Sequence, residues 1–255
     1  MSFPQKEPVS PHYIALVCSY AAVISLWFVL NRVWPSLWRL RPSLTFARPA
    51  REFGYALIAL IAVLGIGQLY VRDWMLPGDD VVILDAINHF LIFSPVLILL
   101  WLRKQGAATV WLPLDRVPQR LLCGLALALI ALTVYWLTRR NAHGWGQIVA
   151  NVYHPQNFAL AVQVFMEDLA IALLFVRLAA WIGQRWSIAL VAILFAAGHV
   201  PSLLAEGAAL AELGSLFIDA FLGIIVLTAL SRSRDIWWFF MVHFALDMTQ
   251  FYGGS

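Results

Sequence analysis

The chain has 255 residues, 62% of them hydrophobic and 12% charged, with a net charge of +3 and a mean hydropathy of +0.80. A water-soluble fold of this length cannot hide that much apolar surface, so a soluble globular domain is excluded and the lipid bilayer is the expected solvent. The basic excess does not point to nucleic acid, because the Lys and Arg residues fall between apolar segments and form no groove-tracking patch.

A spanning helix needs roughly 20 apolar residues. Runs of that kind are predicted at about 13–34, 54–71, 81–102, 119–138, 157–182, 186–205, 208–230 and 235–251. The expected fold class is therefore all-α: a polytopic membrane helix bundle of about eight transmembrane helices, forming a single integral membrane domain over 1–255. The first run is long for a signal-peptide core and ends in Asn31-Arg32, so no cleavable signal peptide is expected. The stretch 36–53, rich in Pro and Arg, reads as an interfacial loop. The polar stretch 139–156 reads as a cover over the outer face. The aromatic stretch 237–240 reads as lipid-facing or interfacial. Cys18 and Cys123 lie in apolar runs and are expected to be small buried residues.

Loop charge sets orientation. Thirteen basic residues follow odd-numbered runs or close them: Arg32, Arg39, Arg41, Arg48, Arg51, Arg103, Lys104, Arg116, Arg120, Arg177, Arg185, Arg232 and Arg234. The other side holds four: Lys6, Arg72, Arg139 and Arg140. The odd loops are thus expected in the cytoplasm, and both termini outside.

An ionisable side chain at mid-bilayer costs at least about 2.5–3.5 kcal/mol on insertion scales, so each one inside a run needs a reason. The candidates are Asp85, His89, Glu167, Asp168, His199, Asp219, His243 and Asp247. Counting about 1.5 Å per residue from the run ends puts Glu167, His199, His243 and Asp247 within about 6–9 Å of one another in depth. His243 and Asp247 share a helix face, whereas Glu167 and Asp168 point about 100° apart, so one of that pair is expected to face the site centre. Asp219 is read as orienting a histidine or lining the cavity, and Phe195 as a packing residue. Asp85 and His89, also one turn apart, read as a local hydrogen-bonded pair or as part of an outer-side entrance.

Three segments carry a family resemblance. Met166-Glu167-Asp168-Leu169-Ala170-Ile171-Ala172 resembles the EExxxR motif of CAAX-processing and bacteriocin-processing intramembrane proteases. Phe195-Ala196-Ala197-Gly198-His199 resembles their FxxxH motif, and His243-Phe244-Ala245-Leu246-Asp247 their HxxxN/D motif. Gly223 to Trp238 is similar to their Gly-rich helix and short basic turn. The resemblance makes 157–251 the family-like core and leaves the first four runs unmatched.

What it implies is a metal-independent glutamic endopeptidase in the membrane, without a cofactor, acting on a membrane-associated peptide or protein tail. Glu167 would be the general base, with His199 holding the water and His243 and Asp247 at the oxyanion. Asp168 takes the place of the second Glu. The motif Arg falls on Ala172, and Arg177 stands five residues beyond it. An ionised Asp247 cannot donate to an oxyanion, so it would have to be protonated or to orient His243. Size and family distribution suggest a bacterial inner membrane. The alternative is a catalytically silent relative serving as a structural subunit or assembly factor of a membrane complex. A metal site of two His and carboxylates has no HExxH to support it, and a transporter no inverted repeat.

Overall fold

The computed structural model describes residues 10–38, 45–77, 81–139, 144–198, 200 and 214–252. His199 lies outside them. Among the described residues the chain is helical throughout, with no strand. In chain order the helices are α1 (Ser10–Val33), α2 (Pro49–Val71), α3 (Val82–Ile92), α4 (Ser94–Leu102), α5 (Val117–Arg139), α6 (Trp145–Val152), α7 (Phe158–Ile182), α8 (Gln184–Gly198), α9 (Ser215–Ser233), α10 (Ile236–Asp247) and α11 (Thr249–Tyr252).

Local chemistry sets these bounds. Pro49 opens α2 in the first turn, where its missing N–H costs nothing. The third run is not one straight helix: α3 and α4 meet at Phe93 with a bend of 47°. Pro95 in the first turn of α4 cannot donate into the preceding turn, and its ring crowds it. Gly183 closes α7 at φ +87°, a conformation that side-chain-bearing residues rarely adopt, so α8 follows after a single residue. The Asp235 side chain accepts from Trp237 N–H at 2.9 Å and caps α10.

Among the described residues five helices are long and apolar enough to cross a membrane, or six with the bent α3–α4 pair. The chain is an integral membrane protein on that ground. Of the eight predicted runs, the eighth is a shorter helix, α10 with 12 residues, and the sixth is described only in part, as α8 with 15, because 199 and 201–205 lie outside the described residues. Outward faces are apolar, as on α2 (Ile58, Ile61, Leu64) and α9 (Phe217, Phe221). That is what a lipid-facing surface requires.

The centre is α7, whose span is 61% buried against 17% for α2. Helices α2, α3, α8 and α10 pack against it, α5 packs on α10, and α1 on α5. Tight contacts need small residues. A Cβ on Gly124 of α5 would sit 2.7 Å from the Trp238 Cα of α10. A Cβ on Gly223 of α9 would sit 3.1 Å from Ala192 Cβ of α8. Both pairs of helices touch at these points. Trp238 also stacks on Trp27 of α1, with ring centroids 5.6 Å apart.

The structure corrects the lipid-facing role expected of 237–240. Trp238 and Phe239 are buried, because α10 is enclosed by α5, α7 and α1. Cys18 is also corrected: it is exposed on the outer side of α1, and Cys123 is half-buried.

The helix ends sort onto two faces. On one, Arg120 at the start of α5 pairs with the buried Asp235 and donates to Asp115 Oδ2 at 3.0 Å. Trp237 Nε1 donates to Pro113 O at 2.8 Å, and Ile236 N to Trp111 O at 3.0 Å. The same face joins Glu52 of α2 to Arg103 beyond α4, and Gln105 Nε2 donates to Glu52 Oε2 at 2.8 Å. Arg177 near the end of α7 donates to Gln105 and, at 3.2 Å, to Thr109 O. On the opposite face Tyr135 of α5 meets His12 of α1 at 2.7 Å, and Trp145 of α6 donates to Thr133 at 3.0 Å. The stretch predicted as an outer cover is thus partly the short helix α6, with Ile148 and Val152 buried beneath it.

Candidate functional site

Apart from Gln163 and Arg177 the α7 sequence around Glu167 and Asp168 is apolar, so these two acids stand out against helix packing. Successive residues point about 100° apart, and they do divide. Glu167 lines a cavity of about 400 Å³, bounded by α1, α7, α8, α9 and α10. Asp168 is fully buried behind it, with Oδ1 2.9 Å from His243 Nδ1. The second oxygen of Asp168, Oδ2, is buried with no hydrogen-bond partner among the described residues. One acid therefore faces the cavity and the other holds the histidine.

His243 comes from α10, and 14% of its side chain is exposed where it reaches the cavity. Its ring stacks on Phe239, one turn earlier, at 5.2 Å. With Nδ1 engaged by Asp168, Nε2 is the nitrogen left for other partners. Asp247 lines the same cavity one turn later and accepts from Gln250 Nε2 at 3.0 Å. Glu167 Oε1 accepts from Gln163 Nε2 at 2.8 Å, an i,i+4 contact along α7.

Asp219 on α9 also lines the cavity, the second of the two roles open to it in the sequence. So does Phe195 on α8, together with Val191 and Ala192. Phe195, expected to be a packing residue, is a wall residue. The orienting task that sequence reasoning offers to Asp247 falls to Asp168, because α7 presents that carboxylate directly to Nδ1.

The structure adds residues from α1 that the sequence does not single out: His12, Tyr13, Leu16 and Tyr20. His12, Leu16 and Tyr20 recur every four residues on one face, which is the available signal. Gln163 and Gln250 are further additions. Neither is ionisable, so a search for buried charge passes over them.

Two other groups lie elsewhere. Arg177 is fully buried in the network of Gln105 and Thr109 and takes no part in the cavity. Ala172, in the position of the motif Arg, is core. Asp85 and His89 lie 3.6 Å apart, beyond the hydrogen bond expected of them, and Asp85 instead accepts from the Tyr70 hydroxyl at 2.7 Å. Among the described residues no three His, Cys, Asp or Glu side chains converge as a shared metal ion would need.

Residues 156–249 match the family model described as type II CAAX prenyl endopeptidase Rce1-like. That segment is similar to the CAAX-type intramembrane proteases, in agreement with the motif resemblance, and it contains Glu167, Asp168, Asp219, His243 and Asp247. No curated protein and no solved structure matches the chain.

Proposed function

We propose that the chain is an intramembrane endopeptidase of the CAAX-processing type, working in a bacterial inner membrane with its arginine-rich face in the cytoplasm. The observation that carries this is one cavity lined by Glu167, His243 and Asp247, three residues that all fall in the matched segment. Glu167 is the general base. It takes a proton from a water whose oxygen then attacks the scissile carbonyl carbon. The proton passes from Glu167 to the leaving amine as the C–N bond breaks.

His243 donates from Nε2 to the developing oxyanion, as an imidazolium whose counter-ion is Asp168. Gln163 fixes the Glu167 carboxylate, and His199, from its place in the sequence, helps hold the water. No metal or cofactor enters these steps. The apolar part of the wall, including Leu16, Ile171, Val226 and Leu227, suits a substrate held in the bilayer: a membrane-associated peptide or a protein tail.

The test is Glu167→Gln in purified protein reconstituted in liposomes, assayed on internally quenched lipidated peptides. The variant should insert and melt as wild type and cleave nothing. Full activity in that variant would overturn the mechanism. Stoichiometric co-purification with other membrane proteins, with no cleavage by wild type, would favour the silent-subunit reading instead.

A further inference from the structure

Hydrolysis of a peptide bond needs hydrogen-bond donors aimed at the oxyanion. Asp247 faces the cavity, but a carboxylate only accepts. Gln250 Nε2 donates to Asp247 Oδ1 at 3.0 Å. This contact decides which way the Gln250 amide points. The NH2 end lies toward Asp247, and the carbonyl end lies away from it.

The nitrogen carries two hydrogens. One is spent on Asp247, and the second is available in the cavity that Gln250 also lines. Helical side chains lean toward the helix N-terminus, so Gln250 leans back over Asp247 toward His243. We propose that Gln250 supplies the amide N–H that completes the oxyanion site with His243, and that Asp247 is the positioning residue holding this amide. Nothing in the three motifs assigns a role to Gln250, which lies one residue beyond the segment 156–249 that matches the family model. The inference rests on the endopeptidase reading above.

The experiment compares four proteins in the liposome assay: wild type, Gln250→Ala, Asp247→Asn, and the double variant Asp247→Asn with Gln250→Ala. Glu167→Gln is the control. Loss of one oxyanion donor lowers kcat about 10²- to 10³-fold with little change in KM. Gln250→Ala should show that loss, while melting as wild type because Gln250 is an exposed side chain. In the double variant the introduced asparagine carries its own amide to the position next to His243, and kcat should recover by about tenfold or more over Gln250→Ala. The proposal is overturned if Gln250→Ala keeps kcat within about threefold of wild type, or if the double variant shows no recovery. Either result leaves the endopeptidase reading in place as long as Glu167→Gln is inactive. If wild type cleaves nothing, or Glu167→Gln stays active, that reading falls and this one with it.

Discussion

Replacing Asp168 by Asn removes a charge and sets an amide NH2 in the place of the buried Oδ2. Asp168 Oδ1 lies 2.9 Å from His243 Nδ1, and the side chain is fully buried. The asparagine side chain still offers a carbonyl oxygen to the Nδ1 hydrogen, so the ring keeps its place. Its amide nitrogen replaces Oδ2, which is buried and has no partner among the described residues. A hydrogen bond to a charged group contributes about 1.5–3 kcal/mol and a neutral one about 0.5–1.5. The folded state therefore loses about 1–1.5 kcal/mol from this bond, partly offset because a charge no longer has to be buried.

The cost in catalysis is larger. Without its counter-ion, His243 is neutral with Nδ1 protonated, and Nε2 has no hydrogen for the oxyanion. The expected loss is that of one oxyanion donor, about 10²-fold or more in kcat, with KM unchanged. Purified protein in liposomes gives both kcat and KM, and a melting curve gives the stability. Asp168→Asn with kcat within about threefold of wild type would refute the claim that this pair supplies the donor. A large loss of stability with kcat preserved would make Asp168 a packing residue.

Arg120→Ala should destabilise the protein by about 3–5 kcal/mol, because it leaves Asp235 buried and without its ion-pair partner. Chemical denaturation in detergent reads this, and a change under about 1 kcal/mol would show that the pair contributes little. Gly124→Val places a Cβ 2.7 Å from the Trp238 backbone, which cannot move aside as a side chain can. Overpacking of about 1–3 kcal/mol is expected, with loss of activity because α10 carries His243. Tyr70→Phe removes the bond to Asp85 and should cost about 1 kcal/mol of stability with kcat unchanged, since that cluster is away from the cavity. For orientation, with Cys18 and Cys123 replaced by Ser, Leu114→Cys should react with an impermeant maleimide only in inside-out vesicles. Leu76→Cys should react only in right-side-out ones, and the reverse pattern would invert the topology.

The α-helical membrane class was legible because it depends on bulk composition and run length, which no tertiary detail alters. The residues of the candidate site were conspicuous where they carry charge: the structure gathers Glu167, Asp219, His243 and Asp247 around one cavity with Asp168 directly behind it, while His199 lies outside the described residues. Which acid faces the cavity was not legible. A 100° difference in direction says that Glu167 and Asp168 diverge, but only the position of α10 says that Asp168 meets His243. The aromatic stretch 237–240 misleads for a related reason. An apolar face looks the same in sequence whether it meets lipid or neighbouring helices, and Trp238 is buried by Gly124 and Trp27, which lie far away in the chain. The lining from α1 stays hidden because His12, Leu16 and Tyr20 gain meaning only once α1 lies beside α9 and α10.

The ion-pair network and the cavity lie in different parts of the bundle. One face binds its helices by ion pairs and capping: Arg120 to Asp235, Glu52 to Arg103, and Arg177 to Gln105. These contacts join α2, α4, α5, α7 and α10 near their ends and lie outside the cavity lining. Arg177 lies on α7 ten residues beyond Glu167, so at 1.5 Å per residue about 15 Å separates the network from the Glu167 carboxylate. The missing motif Arg at Ala172 is therefore not replaced by Arg177, whose hydrogen bonds are made at the other end of the helix. In its absence, the carboxylates at the cavity find their partners locally: Gln163 for Glu167, His243 for Asp168 and Gln250 for Asp247. Each is a side chain that donates a hydrogen bond, and among the described residues no guanidinium lines the cavity.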